Sequence, residues 1–238
     1  MAAFNLITAP TQASPVTLEE AKAHLRVAID DDDGLIQAYL EAATERVELE
    51  TGRQLLTAVR ELWLDSAPGL GMGLGDPQSS TWGPWNGSAG LNAWIDWGLW
   101  WNRRYIDMPF PPLVSVTSVK YVDTTGVTQT WDPTLYQVSA PSGPRAERGR
   151  VQPAYGQAWP VTRDQMDAVI VRFTCGYGAD GDTVPQMLRR AILLIAGDWY
   201  QSREGTIVSD TRMTVEELPY GVNNILQQYR ARPVLRAA

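Results

Sequence analysis

The chain has 238 residues, of which 44% are hydrophobic, with a formal net charge of −7, ten tryptophans, one histidine and one cysteine. That length suits one large domain or a smaller domain carrying a substantial insertion. A single cysteine excludes an internal disulfide and argues against a thiolate metal site, and no run approaches the roughly eighteen apolar residues of a membrane span.

The opening MAAFNLITAPTQASP has no basic start and no long apolar segment, so it is not expected to act as a secretory signal. Thr17-Leu-Glu-Glu20 is a capping box, with Leu18, Ala21 and Leu25 on one helical face, and predicts a short helix to about Val27. Asp30 to Asp33 form a turn whose last carboxylates suit a helix N-terminus. Leu35, Ile36, Tyr39, Leu40, Ala43 and Val47 then predict a second amphipathic helix, stopped by Gly52.

Beyond Gly52 the pattern changes to β. Leu56 to Leu64 and Leu113 to Val122 are rich in β-branched and aromatic residues, and a phase shift between Val116 and Val119 predicts a bulge. Asp123-Thr-Thr-Gly126 is a turn, with Val127 to Trp131 returning as a hairpin partner. Short strands follow at Tyr136 to Val138, Arg150 to Gln152 and Ala168 to Thr174. Pro185 opens a helix carrying Leu188, Ile192, Ile195 and Trp199, and Pro219 opens another with Val222, Ile225, Leu226 and Tyr229. The expected fold class is α+β: a helical hairpin and C-terminal helices around a small, mainly antiparallel sheet.

Residues 66–107 are expected to interrupt the sheet as a long insertion. Its first half is glycine-rich, and its second half could hold a short helix near Leu91 to Asn102. Six tryptophans lie here: Trp82, Trp85, Trp94, Trp97, Trp100 and Trp101. A buried Trp removes about 150–250 Å² from water, so six exceed the few hundred Å² that a monomer usually leaves exposed in one patch. Either the segment folds onto its own core or it meets a partner. A glycan-binding platform is an alternative, weakened by the few polar neighbours (Asn86, Asn92, Asp96, Asn102) available to fix hydroxyls.

Charge is unevenly placed. Residues 1–51 contain Glu19, Glu20, Asp30, Asp31, Asp32, Asp33, Glu41, Glu45, Glu48 and Glu50 against Lys22, Arg26 and Arg46, which accounts for the entire net charge. Residues 52–238 are neutral, yet their last nine carry Arg230, Arg232 and Arg236 with no acid. An acidic front and a basic tail fit polar assembly.

Catalytic patterns are weak. Gly176-Tyr-Gly178-Ala-Asp-Gly181 matches GxGxxG, but acidic groups follow where a pyrophosphate needs bare amides, and no βαβ unit continues. Aligning Gly34 with a calcium-loop glycine puts Ile29 and Leu40 at the first and last ligand positions, so that pattern is broken. His24, among Lys22 and Arg26, reads as a surface residue. Cys175 ends an apolar run and reads as a small core residue.

Several stretches together resemble the head–tail connector (adaptor) proteins of tailed bacteriophages and gene transfer agents. They are Val16-Thr-Leu-Glu-Glu-Ala-Lys-Ala-His-Leu-Arg-Val27 with its Asp cluster, Glu50-Thr-Gly-Arg53, Pro111 to Asp123, Arg150 to Pro160, Phe173-Thr-Cys-Gly-Tyr-Gly178, Val184-Pro with Ala191-Ile-Leu-Leu and Trp199-Tyr, and Leu218-Pro-Tyr-Gly221. The resemblance covers nearly everything except residues 66–107. It implies a structural virion protein without catalytic residues or cofactors. Such a protein forms a ring, commonly of twelve subunits, beneath the portal at the capsid vertex, and extends the DNA channel toward tail or head-completion (stopper) proteins.

By that resemblance the C-terminal arm 230–238, with Arg230, Arg232, Pro233, Val234, Leu235 and Arg236, would dock on portal subunits. The six insertion tryptophans are expected at a partner contact. Asp31, Asp32, Glu45 and Glu48 are expected to face the channel, where an acidic wall would let double-stranded DNA slide.

Overall fold

The computed structural model describes residues 2–67, 105–201 and 221–231. The first strand, β1 (Ala2–Thr8), corrects the sequence reading, which left this segment without structure. It pairs antiparallel along β2 (Ala58–Leu64), with a bulge at Ile7 between the Leu6 and Thr8 pairings. Helices α1 (Leu18–Leu25) and α2 (Asp33–Thr51) follow β1.

The capping box is formed as expected: Thr17 Oγ accepts from the Glu20 N–H at 3.2 Å and the Glu20 carboxylate accepts from the Thr17 N–H at 3.2 Å. Arg26 ends α1 in a left-handed conformation, and Gly52 ends α2 at φ 64° with its N–H on the Glu48 carbonyl. At the start of α2, Asp32 occupies the N-cap without a side-chain capping bond.

Two sheets form where one was expected. The larger has strand order β1-β2-β8-β4-β5, with β4 (Leu113–Val122), β5 (Thr128–Trp131) and β8 (Val169–Cys175), every pairing antiparallel. The smaller has order β3-β7-β6, from β3 (Ile106–Asp107), β6 (Tyr136–Ser139) and β7 (Arg150–Pro153). β3 falls inside the expected insertion 66–107, so that range includes sheet residues at its end. The predicted irregularity in β4 is present, with register shifts at Leu113/Ser115 and Val116/Ser118. The hairpin turn is held by Asp123, whose carboxylate accepts from Thr125, Val127 and Gln129.

Strand alternation separates the two faces of the large sheet. Val169, Val171, Phe173 and Cys175 of β8 point to a core shared with Leu62, Val119, Trp131, Ile106, Tyr136 and Val151. The smaller sheet therefore packs under the larger one. Trp159 completes this layer, with its ring centroid 4.8 Å from that of Trp131.

A second core lies among the helices. α3 (Gln186–Gln201) contributes Leu188, Ala191, Ile192 and Ile195, and α4 (Val222–Tyr229) contributes Val222, Ile225, Leu226 and Tyr229 at helical spacing. These meet Ile36, Leu40, Ala43 and Val47 of α2. Leu55 and Leu56, fully or almost fully buried, carry the chain from this helical core into β2.

The glycine-rich loop 176–181 lies where the two cores join. Gly176 N–H donates to Pro112, Tyr177 N–H to Leu55 and Thr57 N–H to Gly178. A Cβ on Gly176, at φ 119°, would stand 2.6 Å from the Leu56 carbonyl oxygen, and one on Gly181 would run into the Pro15 carbonyl. These glycines permit close backbone packing, and the amides of Gly176 and Tyr177 are already engaged, so the loop is a structural junction.

Candidate assembly surfaces

Among the described residues, the root of the C-terminal arm is held by a dense set of polar contacts. Arg53 follows the Gly52 cap and is 4% exposed. Its Nε donates to the Tyr229 carbonyl, and its Nη1 donates to the Ala146 carbonyl at 2.8 Å and to the Tyr177 hydroxyl at 3.3 Å. Tyr177 in turn donates to the Pro144 carbonyl at 2.7 Å. One guanidinium thus ties α2's end, α4's end, the 140–149 loop and the junction loop together, using donors fixed in one plane.

Backbone contacts continue the same clamp. Ala231 N–H donates to the Thr51 carbonyl at 2.7 Å, while the Thr51 hydroxyl donates back to Val47 at 2.6 Å. Arg145 lies 5.5 Å over the Tyr229 ring and donates to Gln228 at 2.8 Å. The chain is therefore fixed through Ala231, and Arg230 is exposed beside the exit. The rest of the predicted portal-binding set (Arg232, Pro233, Val234, Leu235 and Arg236) lies outside the described residues, as do Trp82, Trp85, Trp94, Trp97, Trp100, Trp101 and the short helix expected near Leu91 to Asn102.

The acidic hairpin resolves into exposed and engaged carboxylates. Lys22 bridges Asp30 at 2.5 Å and Asp33 at 2.7 Å, and its hydrogen bond and charge hold the Asp30 carboxyl below its ordinary range. Asp32 accepts from the Tyr200 hydroxyl at 2.6 Å, which joins the turn to α3. Desolvation pushes the Glu20 carboxyl upward, but Arg189 and Thr17 together bring it below its usual value. Arg189 spans Glu20 at 2.5 Å and Asp182 at 2.8 Å. Asp31, Glu41 and Glu45 face solvent.

Glu48 has an internal task that the sequence did not reveal. One of its oxygens accepts from the Leu55 N–H at 2.8 Å and from Gln54 Nε2 at 2.7 Å. Gln54 in turn accepts from Arg60 Nε at 2.8 Å. Burial raises the Glu48 carboxyl above its ordinary value, a shift that the Leu55 bond and the charge of Arg60 only partly offset. Of the four residues expected to line a channel, Asp31 and Glu45 are exposed, while Asp32 and Glu48 are bonded into the fold.

Cys175 is fully buried, and burial pushes its thiol up to about 12. His24 is exposed on α1. Among the described residues no helix is long and apolar enough to cross a membrane.

Two cores joined at the 176–181 loop and a clamp that ties Arg53 to Tyr229 and Ala231 to Thr51 define the framework of the chain. A profile of the phage gp6-like head-tail connector proteins matches residues 15–73 and 161–230, more than half of the chain. The chain belongs to that family. Among the described residues, the matched segments contain the α-helices α1 to α4 together with strands β2 and β8.

The whole chain is also similar in fold to chains from gene transfer agent (GTA) particles. One comes from the neck of an empty particle computed with C6 symmetry, at 20% identity and TM-score 0.66 over 99% of this chain and 98% of that one. Another comes from the virion of a native particle, at 20% identity and TM-score 0.65 over 98% of each chain. A third comes from the neck of a native particle computed with C12 symmetry, at 21% identity and TM-score 0.63 over 99% and 98%. No curated protein sequence matches the chain.

Proposed function

We propose that the chain is a single adaptor unit, residues 1–238, that forms a ring in the neck of a virion between the capsid portal and the tail or stopper proteins. The ring would contain about twelve copies, consistent with the C12 symmetry of one similar neck, and would extend the DNA channel. The observation that carries this reading is the clamp at the chain end. A connector-family fold ties Ala231 to Thr51 and Tyr229 to Arg53, and the sequence that follows carries Arg232 and Arg236 with no acid. A basic, proline-bearing stretch of this kind is suited to ordering on a partner.

In this reading Arg230, Arg232 and Arg236, with Pro233, Val234 and Leu235 between them, engage the portal. The tryptophans of the insertion are buried against a neighbouring subunit or another neck protein. The exposed acids of the hairpin face the channel or its rim, since a basic wall would hold DNA by releasing its counterions.

The test is deletion of residues 232–238, which lie beyond the last clamped residue. The truncated chain should keep its circular dichroism spectrum and melting temperature and lose co-sedimentation with portal-bearing heads. Full retention of head binding would overturn the portal assignment.

A further inference from the structure

The two outer strands of the large sheet carry no charged residue, unlike the three strands between them, which hold Arg60, Glu61, Lys120 and Arg172. β1 lies at one end, and Ala2 to Thr17 contains no charged residue. β5 lies at the other end, and Thr124 to Trp131 is also uncharged. Among the described residues neither outer edge has a strand partner.

Soluble proteins commonly protect such edges with lysine, proline or very short strands. β1 instead runs seven residues and exposes Phe4 by 47%, Leu6 by 50% and Ile7 by 44%, with only the bulge at Ile7 to interrupt it. At the other end, Val127 beside β5 is 53% exposed. In a chain of net charge −7, these uncharged edges are where two copies can meet with the least repulsion.

We infer that β1 of one copy pairs with β5 of the next, joining the large sheets edge to edge around the ring. This inference rests on the ring reading above. Successive antiparallel pairings make β1 and β5 run in the same direction, so the junction is a parallel pair. The contact is heterologous: each copy offers one edge and receives the other, and only a closed ring leaves no edge unpaired. Phe4 and Leu6 project on the same side of the sheet as Gln129, by their register through Leu62, Arg60 and Tyr121, whereas Asn5 projects on the opposite side.

The buried Cys175 provides a quiet background for disulfide trapping. Full-length proteins carrying Phe4→Cys with Gln129→Cys, or Leu6→Cys with Gln129→Cys, would be assembled on portal and oxidised. At least one pair should give a ladder of covalent multimers, and Asn5→Cys with Gln129→Cys should give none. Separately, Leu6→Lys should lower ring occupancy on portal by about tenfold while leaving the monomer folded.

If wild-type rings form but neither same-side pair cross-links and Leu6→Lys assembles normally, the edge pairing is wrong and the ring reading stands. Cross-links only to a different neck protein would also overturn the pairing. If wild-type protein forms no ring on portal, the ring reading fails and takes this inference with it.

Discussion

Arg53 and Tyr229 meet across 176 positions of chain, the guanidinium of one donating to the main-chain carbonyl of the other. Arg53 also donates to the Ala146 carbonyl, so the residue that follows the α2 cap ties the end of α4 to the loop before β7. Replacing it with Met would leave two carbonyls without their charged donor, each worth about 1–3 kcal/mol. Arg53→Met should therefore destabilise the fold by about 3 kcal/mol, and Arg53→Lys should recover only part, because an ammonium lacks the planar fork. Urea unfolding reads both variants. A loss below about 0.5 kcal/mol for Arg53→Met would show that the clamp contributes little.

The junction between cores makes a second prediction. Gly176→Ala places a Cβ 2.6 Å from the Leu56 carbonyl oxygen in a left-handed backbone region. Neither the strand nor Leu56 can retreat without disturbing a core, so the expected cost is about 2–3 kcal/mol, roughly a 5–10 °C fall in melting temperature. An unchanged melting temperature would mean that the junction is looser than its backbone bonds indicate.

What the sequence revealed follows from how local each feature is. The Thr17–Glu20 capping box, the Gly52 stop, the Asp123–Gly126 turn and the helical face from Leu188 to Ile195 each depend on neighbours within a few residues, and all were legible. β1 was not, because its strand state comes from pairing with β2 on the far side of two helices. Two strands of the second sheet were legible, near Tyr136 to Val138 and Arg150 to Gln152, but the two-residue strand Ile106–Asp107 carries no periodicity, and only its pairing with Arg150 and Val151 sets these strands apart as their own sheet. The role of Arg53 required the meeting of Ala146, Tyr177 and Tyr229, which no spacing announces. Glu48 was expected to face the channel with Glu45, and only the turn that brings Leu55 back to the helix engages its carboxylate.

Burial of this carboxylate has a pH consequence. The native state raises the Glu48 carboxyl and so binds its proton more tightly than the unfolded chain does. Stability from this group is thus greatest below the ordinary glutamate range and declines as pH rises through the raised native value. Glu48→Gln keeps an acceptor for Leu55 and Gln54 without the buried charge, so it should flatten this decline and leave stability at pH 7 equal or higher. Glu48→Ala leaves the Leu55 N–H unpaired and should cost about 1–3 kcal/mol. Urea midpoints measured between pH 4 and 8 check both, and a steeper decline for Glu48→Gln would refute the assignment.

Cys175 should report unfolding. Its native thiol lies near 12, whereas an unfolded cysteine ionises near 8.5. At pH 8 iodoacetamide should label the native protein at least about a thousandfold more slowly than the urea-unfolded chain. Rapid native labelling would mean that β8 opens locally.

The exposed acids allow the channel question to be asked cleanly. Asp32 bonds Tyr200 and Glu48 bonds Leu55, so reversing either charge would disturb the fold together with the surface. Asp31 and Glu45 are solvent-facing, and charge reversal there should leave the melting temperature within about 2 °C. If the hairpin faces the lumen, Asp31→Lys with Glu45→Lys repeats four added positive charges' difference in every subunit around the ring. The duplex would then be held electrostatically, and retention should weaken as salt rises. Particles built with this variant should assemble normally yet eject DNA more slowly at low ionic strength than at high. An ejection rate that equals the wild type at every salt concentration would place the hairpin on the outside of the ring.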